Sequence, residues 1–152
     1  MGGVGLMAET SGLFRTVADK DYLGFWANQT LQAKKVADFL DFDKSAVAKV
    51  AQVAQKSVRY DEKIPKDVLD RLQEIANICS LVAQFFQGDL RKTALWFKTN
   101  NPLFGNISPR DMIRFGRYEK LRRFVHAAIE DNVSRELIPT LKHDEATQIA
   151  AA

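Results

Sequence analysis

Side chains that carry chemistry are scarce in this chain. Its 152 residues include a single cysteine, Cys79, and two histidines, His126 and His143. One thiol makes no internal disulfide, a usage that fits a reducing cytoplasm. Cys79 follows Ile78, shares a helical face with Val82 and has no histidine at helical spacing, so it reads as a core residue. His126 lies between Val125 and Ala127 and reads as a packing or surface residue. His143, beside Asp144 and Glu145, lacks a third well-spaced ligand for a metal. There is no glycine-rich phosphate loop and no nucleophile elbow. These absences argue against an enzyme and leave no cofactor to expect.

Proline occurs only at positions 65, 102, 109 and 139, and no stretch keeps a sustained strand-like alternation. The longest uncharged run, Ile75 to Gly88, has 14 residues and contains Asn77, Ser80, Gln84 and Gln87. A membrane-spanning helix needs roughly 20 mostly apolar residues, so this run does not span. No basic cluster precedes an apolar stretch near the start, so no secretory signal is expected. Core material is ample: 46% of residues are apolar and ten are Phe. The expectation is a small, soluble, cytoplasmic protein.

Charge is uneven along the chain. The net of +3 is too small to argue for nucleic acid. From Leu90 to Arg123, however, nine basic residues face two acidic ones, a local +7, whereas Glu130 to Ala152 carries a local −3. A basic stripe attracts phosphate or an acidic protein surface, and it is equally compatible with a solvated helix face.

Helical signals dominate. Thr30 is a candidate cap for a helix running to about Phe42, and Asp43 or Ser45 for a second short one. Ser45 to Tyr60 has helix-turn-helix spacing: Val47, Ala51, Val53 and Val58 would hold two short helices together, with Ala48 at their crossing. Gln55, Lys56, Ser57, Arg59 and Tyr60 would then face outward as DNA-contacting residues. Gln52 stands where such a turn usually has Gly, and Ala54 where a Ser or Thr cap is usual; a competing register, which fits less well, uses Ala37, Leu40, Phe42 and Val47 with Asp43 as cap. Pro65 opens a long helix whose stripe is Val68, Leu72, Ile75, Cys79, Val82 and Phe86, and Gly88 ends it. Asp89 caps the next helix, which carries Leu90, Ala94, Leu95 and Phe97. Asn100-Asn101-Pro102 breaks it, and Gly105-Asn106 turns the chain. Ser108, Pro109 and Asp111 then make a strong helix start, with Asp111 positioned to bond back to the cap amide. A last helix, Tyr118 to about Glu130, follows Gly116. The fold class is all-α: helix-turn-helix-like N-terminal helices packed on a C-terminal helical domain.

Residues 94–117 carry a more specific pattern. A helix ending near Trp96, the turn Asn101-Pro102-Leu103-Phe104-Gly105, and a Ser108-Pro109-capped helix ending at Gly116 together resemble the toxin-binding domain of the Xre/MbcA/ParS-type antitoxins. The stretch Ile64-Pro65 with Leu69, Leu72, Ala76, Val82 and Phe85-Phe86 is similar to that family's lead-in. The likeness covers about Ser45 to Ile129, and Gly105-Asn106 replaces what is often a glycine pair.

The resemblance implies an antitoxin of a type II toxin–antitoxin pair. Its partner would be a cognate RES-type toxin, an enzyme that consumes NAD or transfers ADP-ribose from it. It also implies a homodimer that assembles with the toxin and binds operator DNA to repress its own operon. A stand-alone helix-turn-helix regulator without a toxin is the alternative. The corresponding division is 1–28 as an N-terminal extension, 29–64 as a DNA-binding region, 65–131 as the toxin-binding domain and 132–152 as a tail. Arg110, Arg114, Arg117, Arg122 and Arg123 are the candidate toxin-facing residues, with the tail as an occluding segment.

Overall fold

A computed structural model describes residues 18 and 20–134, and these form one helical body with a small hairpin at its start. The hairpin pairs β1 (Trp26–Ala27) with β2 (Thr30–Leu31) in antiparallel fashion, Trp26 opposite Leu31. Asn28 and Gln29 form its turn with φ of 49° and 68°, the left-handed pair that two-residue hairpins require. The Asp21 carboxylate accepts from the amides of Phe25 and Trp26 at 2.8 and 3.0 Å, which pins the incoming chain. The expected cap at Thr30 is therefore replaced by a strand position, and the expected boundary at residue 28 cuts through this hairpin.

Six helices follow among the described residues: α1 (Ala33–Phe39), α2 (Lys44–Ala51), α3 (Lys66–Phe85), α4 (Leu90–Lys98), α5 (Pro109–Arg114) and α6 (Tyr118–Ser134). Single 3-10 turns span Gln55–Ser57 and Pro102–Phe104. The all-α reading holds. α3 is the central element and packs against α1, α2, α4 and α6. Its whole expected stripe is buried, as are Ile78, Ser80, Leu81 and Ala83, so the second half of this helix is enclosed on nearly every side.

Side-chain caps fall where the sequence places them for three helices. Asp43 accepts from the Ala46 amide at 2.8 Å, Asp89 from Lys92 at 3.0 Å and Ser108 from Asp111 at 3.1 Å. α1, α2, α3 and α5 all end in the same way, with a left-handed residue and paired backbone bonds back into the last turn. Gly116 fills that position after α5, but Asp41, Gln52 and Gln87 fill it after α1, α2 and α3.

The second helix of the helix-turn-helix expected over Ser45–Tyr60 does not form, whereas the residues of the competing register, Ala37, Leu40, Phe42 and Val47, are buried on and between α1 and the Asp43-capped α2. Gln52 takes the left-handed turn conformation, with φ of 59°, so the turn itself is present. Beyond it only the 3-10 turn Gln55–Ser57 is helical, and residues 58–60 have no regular structure. Ala54 lies in an extended conformation with no side chain to cap a helix start. Val58, 2% exposed and extended, is anchored in the core. Asp61 then accepts from the Lys63 amide at 3.1 Å and from Arg59, which holds the chain in a turn rather than a helix.

A file of aromatic rings ties the halves together. Phe25 meets Phe39, Phe39 meets Phe97, Phe97 meets Trp96, Trp96 meets Phe104 and Phe104 meets Phe124, each edge-to-face with centroids 4.8–6.2 Å apart. The hairpin, α1, α4, the second 3-10 turn and α6 thus share one core, and five of the ten Phe lie in this file.

Candidate protein-docking surface

α4 is held at its start by Asp89, whose carbonyl also accepts from the Thr93 hydroxyl at 2.7 Å. Thr93, Trp96 and Phe97 face inward. Leu90 and Leu95 stand open to solvent at 51% and 50% exposure.

The connection to α5 is organised by Asn101, a buried residue 3% exposed. Its side chain accepts from the Leu103 amide at 2.9 Å. Its carbonyl accepts from Phe104 and Asn106, and its own amide donates to the Ile107 carbonyl at 3.1 Å. Gly105 and Asn106 both adopt left-handed φ, 73° and 65°, so Asn performs the role of a second glycine at modest cost. This scaffold buries Phe104 and pushes Leu103 out to 64% exposure. The loop after α5 likewise leaves Phe115 at 53%.

The five candidate arginines divide into three roles. Arg110 is structural. Its Nε donates to the Leu40 carbonyl and its Nη2 to the Asp41 carbonyl at 3.0 Å, and its guanidinium lies 5.6 Å from the centre of the Phe42 ring. Arg114 and Arg122 are held by neighbours on their own helices. Arg114 lies 3.0 Å from Asp111 and over the Phe115 ring, and Arg122 donates to Glu119 at 2.9 and 3.1 Å. Arg117 and Arg123 are exposed. Asp111 serves these arginines; its amide, rather than its carboxylate, completes the cap at Ser108.

The five candidate DNA-contacting residues lie on the 3-10 turn and the irregular chain beyond it. Gln55 and Lys56 are exposed and Ser57 is half-buried. Arg59 is engaged by Asp61, which holds that carboxyl below its usual range, and Tyr60 is half-buried. No helix presents them.

Cys79 is fully buried, which pushes its thiol far up and keeps it protonated. Among the described residues no three His, Cys, Asp or Glu side chains come together as a metal site, and no helix is long and apolar enough to cross a membrane. His143 and the tail from residue 135 lie outside the described residues.

The arrangement suits contact with another macromolecule. Every exposed large apolar side chain found among the described residues, Leu90, Leu95, Leu103 and Phe115, falls in one stretch of 26 residues. That stretch lies inside the segment with a local charge of +7. Sequence reasoning singled out the arginines and missed these four. The signal was available for Leu95, which directly precedes the Trp96-Phe97 pair and so stands off the buried face of α4. Compared with known proteins, the chain matches no family model, no curated protein and no solved structure.

Proposed function

We propose that this chain is the antitoxin of a type II toxin–antitoxin pair, and that it neutralises a RES-type toxin by docking through α4, the Asn101–Ile107 turn, α5 and the start of α6. One observation carries the reading: the exposed apolar residues and the excess of positive charge coincide in the segment that resembles the antitoxin domain. Scattered exposed leucines are ordinary on a protein surface. Four within one short segment, one of them an aromatic beside an arginine, have the composition of an interface centre. Arg117 and Arg123 would steer an acidic partner face toward it.

In this proposal the protein is not an enzyme, acts in the cytoplasm and works as a homodimer that assembles with its toxin. Repression of its own operon belongs to the proposal; with Gln55–Tyr60 off any α-helix it would have to use the pair α1 and α2, where Ala37, Leu40, Phe42 and Val47 are buried and Asp43 caps the second helix. Co-expression with the product of the adjacent gene tests the reading. Growth arrest caused by that protein alone should be relieved, and the two should copurify. Arrest that persists would sink the proposal.

A further inference from the structure

Val36, Ala37, Leu40, Phe42 and Val47 anchor α1 and α2 in the common core, and Asp41 between the two helices takes a left-handed turn with φ of 54°. With Val47 and Ala48 turned inward, α2 leaves Ser45 and Lys49 exposed one turn apart on its outer face. Lys44 is exposed at the start of the helix and Gln52 just past its end. No Asp or Glu occurs from Lys44 to Tyr60. Lys44, Lys49 and Lys56 are exposed and, among the described residues, take part in no ion pair. This face is open to phosphate.

Two carboxylates border it. Asp43 is turned back onto the Ala46 amide as the cap of α2. Asp41, three residues before Lys44, has a side chain 64% exposed. Left alone, such a charge would repel a phosphate backbone brought within a Debye length, about 8 Å at physiological salt. Lys98, the last residue of α4, reaches that carboxylate at 2.9 Å, and its hydrogen bond holds the carboxyl below the usual range. Arg110, the other cation nearby, spends its Nε and Nη2 on the carbonyls of Leu40 and Asp41. The counter-charge for Asp41 therefore comes from α4, inside the segment that carries the exposed leucines.

We propose that Lys98 sets how tightly α1 and α2 hold duplex DNA, by neutralising Asp41 and not by touching a phosphate itself. This rests on the operator binding proposed above and adds that the partner-docking segment controls it. Lys98 is a positioning residue for charge, acting through Asp41.

A double-mutant cycle on the full chain tests this, with a labelled duplex spanning the promoter of its own operon in a mobility-shift assay at low and at physiological salt. Lys98→Gln should bind about three- to tenfold more weakly than wild type. Asp41→Asn, which keeps a residue that tolerates the left-handed turn, should bind at least as tightly as wild type. The variant carrying both changes should match Asp41→Asn alone, because the charge that Lys98 screens is gone. An unchanged affinity in Lys98→Gln would overturn this inference and leave operator binding standing. So would an equal loss from Lys98→Gln in the Asp41→Asn background, which would assign Lys98 to a phosphate directly. A wild-type chain that does not shift the duplex would overturn operator binding and this inference together.

Discussion

Arg110, at the start of α5, donates from its Nε to the carbonyl of Leu40, 70 residues earlier in the chain, at the point where α1 ends. Its Nη2 takes the next carbonyl, that of Asp41, at 3.0 Å, and Lys98 reaches the Asp41 carboxylate at 2.9 Å. A helix end leaves carbonyls without partners; here Arg110 of α5 supplies partners for two of them, and Lys98 of α4 holds the Asp41 side chain. The basic stretch thus has a structural duty at one edge, welding the C-terminal helices to α1.

Replacing Arg110 should therefore cost stability first. Arg110→Ala leaves two carbonyls short of a donor and removes the cation over Phe42, a loss of about 2–3 kcal/mol. Arg110→Lys should recover only part, because an ammonium does not reproduce the two-pronged contact. Urea denaturation of the two variants checks this: the lysine variant should unfold at a midpoint between those of the alanine variant and wild type, and no loss in either would contradict the role.

Gln52 sits with φ of 59° and is exposed. Glycine there should stabilise the protein by about 0.5–1 kcal/mol, the relief of the left-handed strain less the added freedom of the unfolded chain. A β-branched residue, as in Gln52→Val, should destabilise it. The midpoint of urea unfolding should move in opposite directions for the two.

The same residue shows what was legible beforehand. The turn of the expected helix-turn-helix exists, and Gln52 occupies the glycine position despite its side chain. The second helix fails because local signals that could have started it are missing at Ala54, while Val58 gains more from the core in an extended conformation. The caps at Asp43, Asp89 and Ser108 were readable because each is a local bond between a side chain and an amide three residues on. The hairpin was not, since two residues per strand give no alternation to detect, and only Asn28 hinted at its left-handed turn. The roles of Arg110 and Leu95 depend on which helices meet, and that is tertiary information.

Asn101 is the keystone of the turn that displays Leu103. Asn101→Ala removes the acceptor for the Leu103 amide and should cost about 1–3 kcal/mol. Ser108→Ala, which removes a cap at the far side of the turn, should cost about 1 kcal/mol. Both are measurable by thermal unfolding, and Asn101→Ala should in addition weaken partner binding by disordering Leu103.

Burial and the nearby Arg122 hold His126 below the ordinary imidazole value of 6.5, although Glu130 and Glu119 act in the opposite sense. The unfolded chain then takes up the proton first as pH falls. This contribution is fully present above the ordinary value, declines as pH drops from there to the lower folded value, and is constant below it. His126→Gln should flatten the stability profile in that window and leave it unchanged at alkaline pH. Unfolding midpoints across that range give the comparison.

The central claim is that the segment from Leu90 to Arg123 binds a protein partner, and titration calorimetry of the full chain against the product of the adjacent gene tests it most directly. Wild type should bind. Leu103→Ala with Phe115→Ala should reduce affinity by at least about tenfold while keeping the unfolding midpoint, because both side chains are already in water. Arg117→Glu with Arg123→Glu should slow association most at low salt. Binding by the double alanine variant as tight as by wild type would contradict the account.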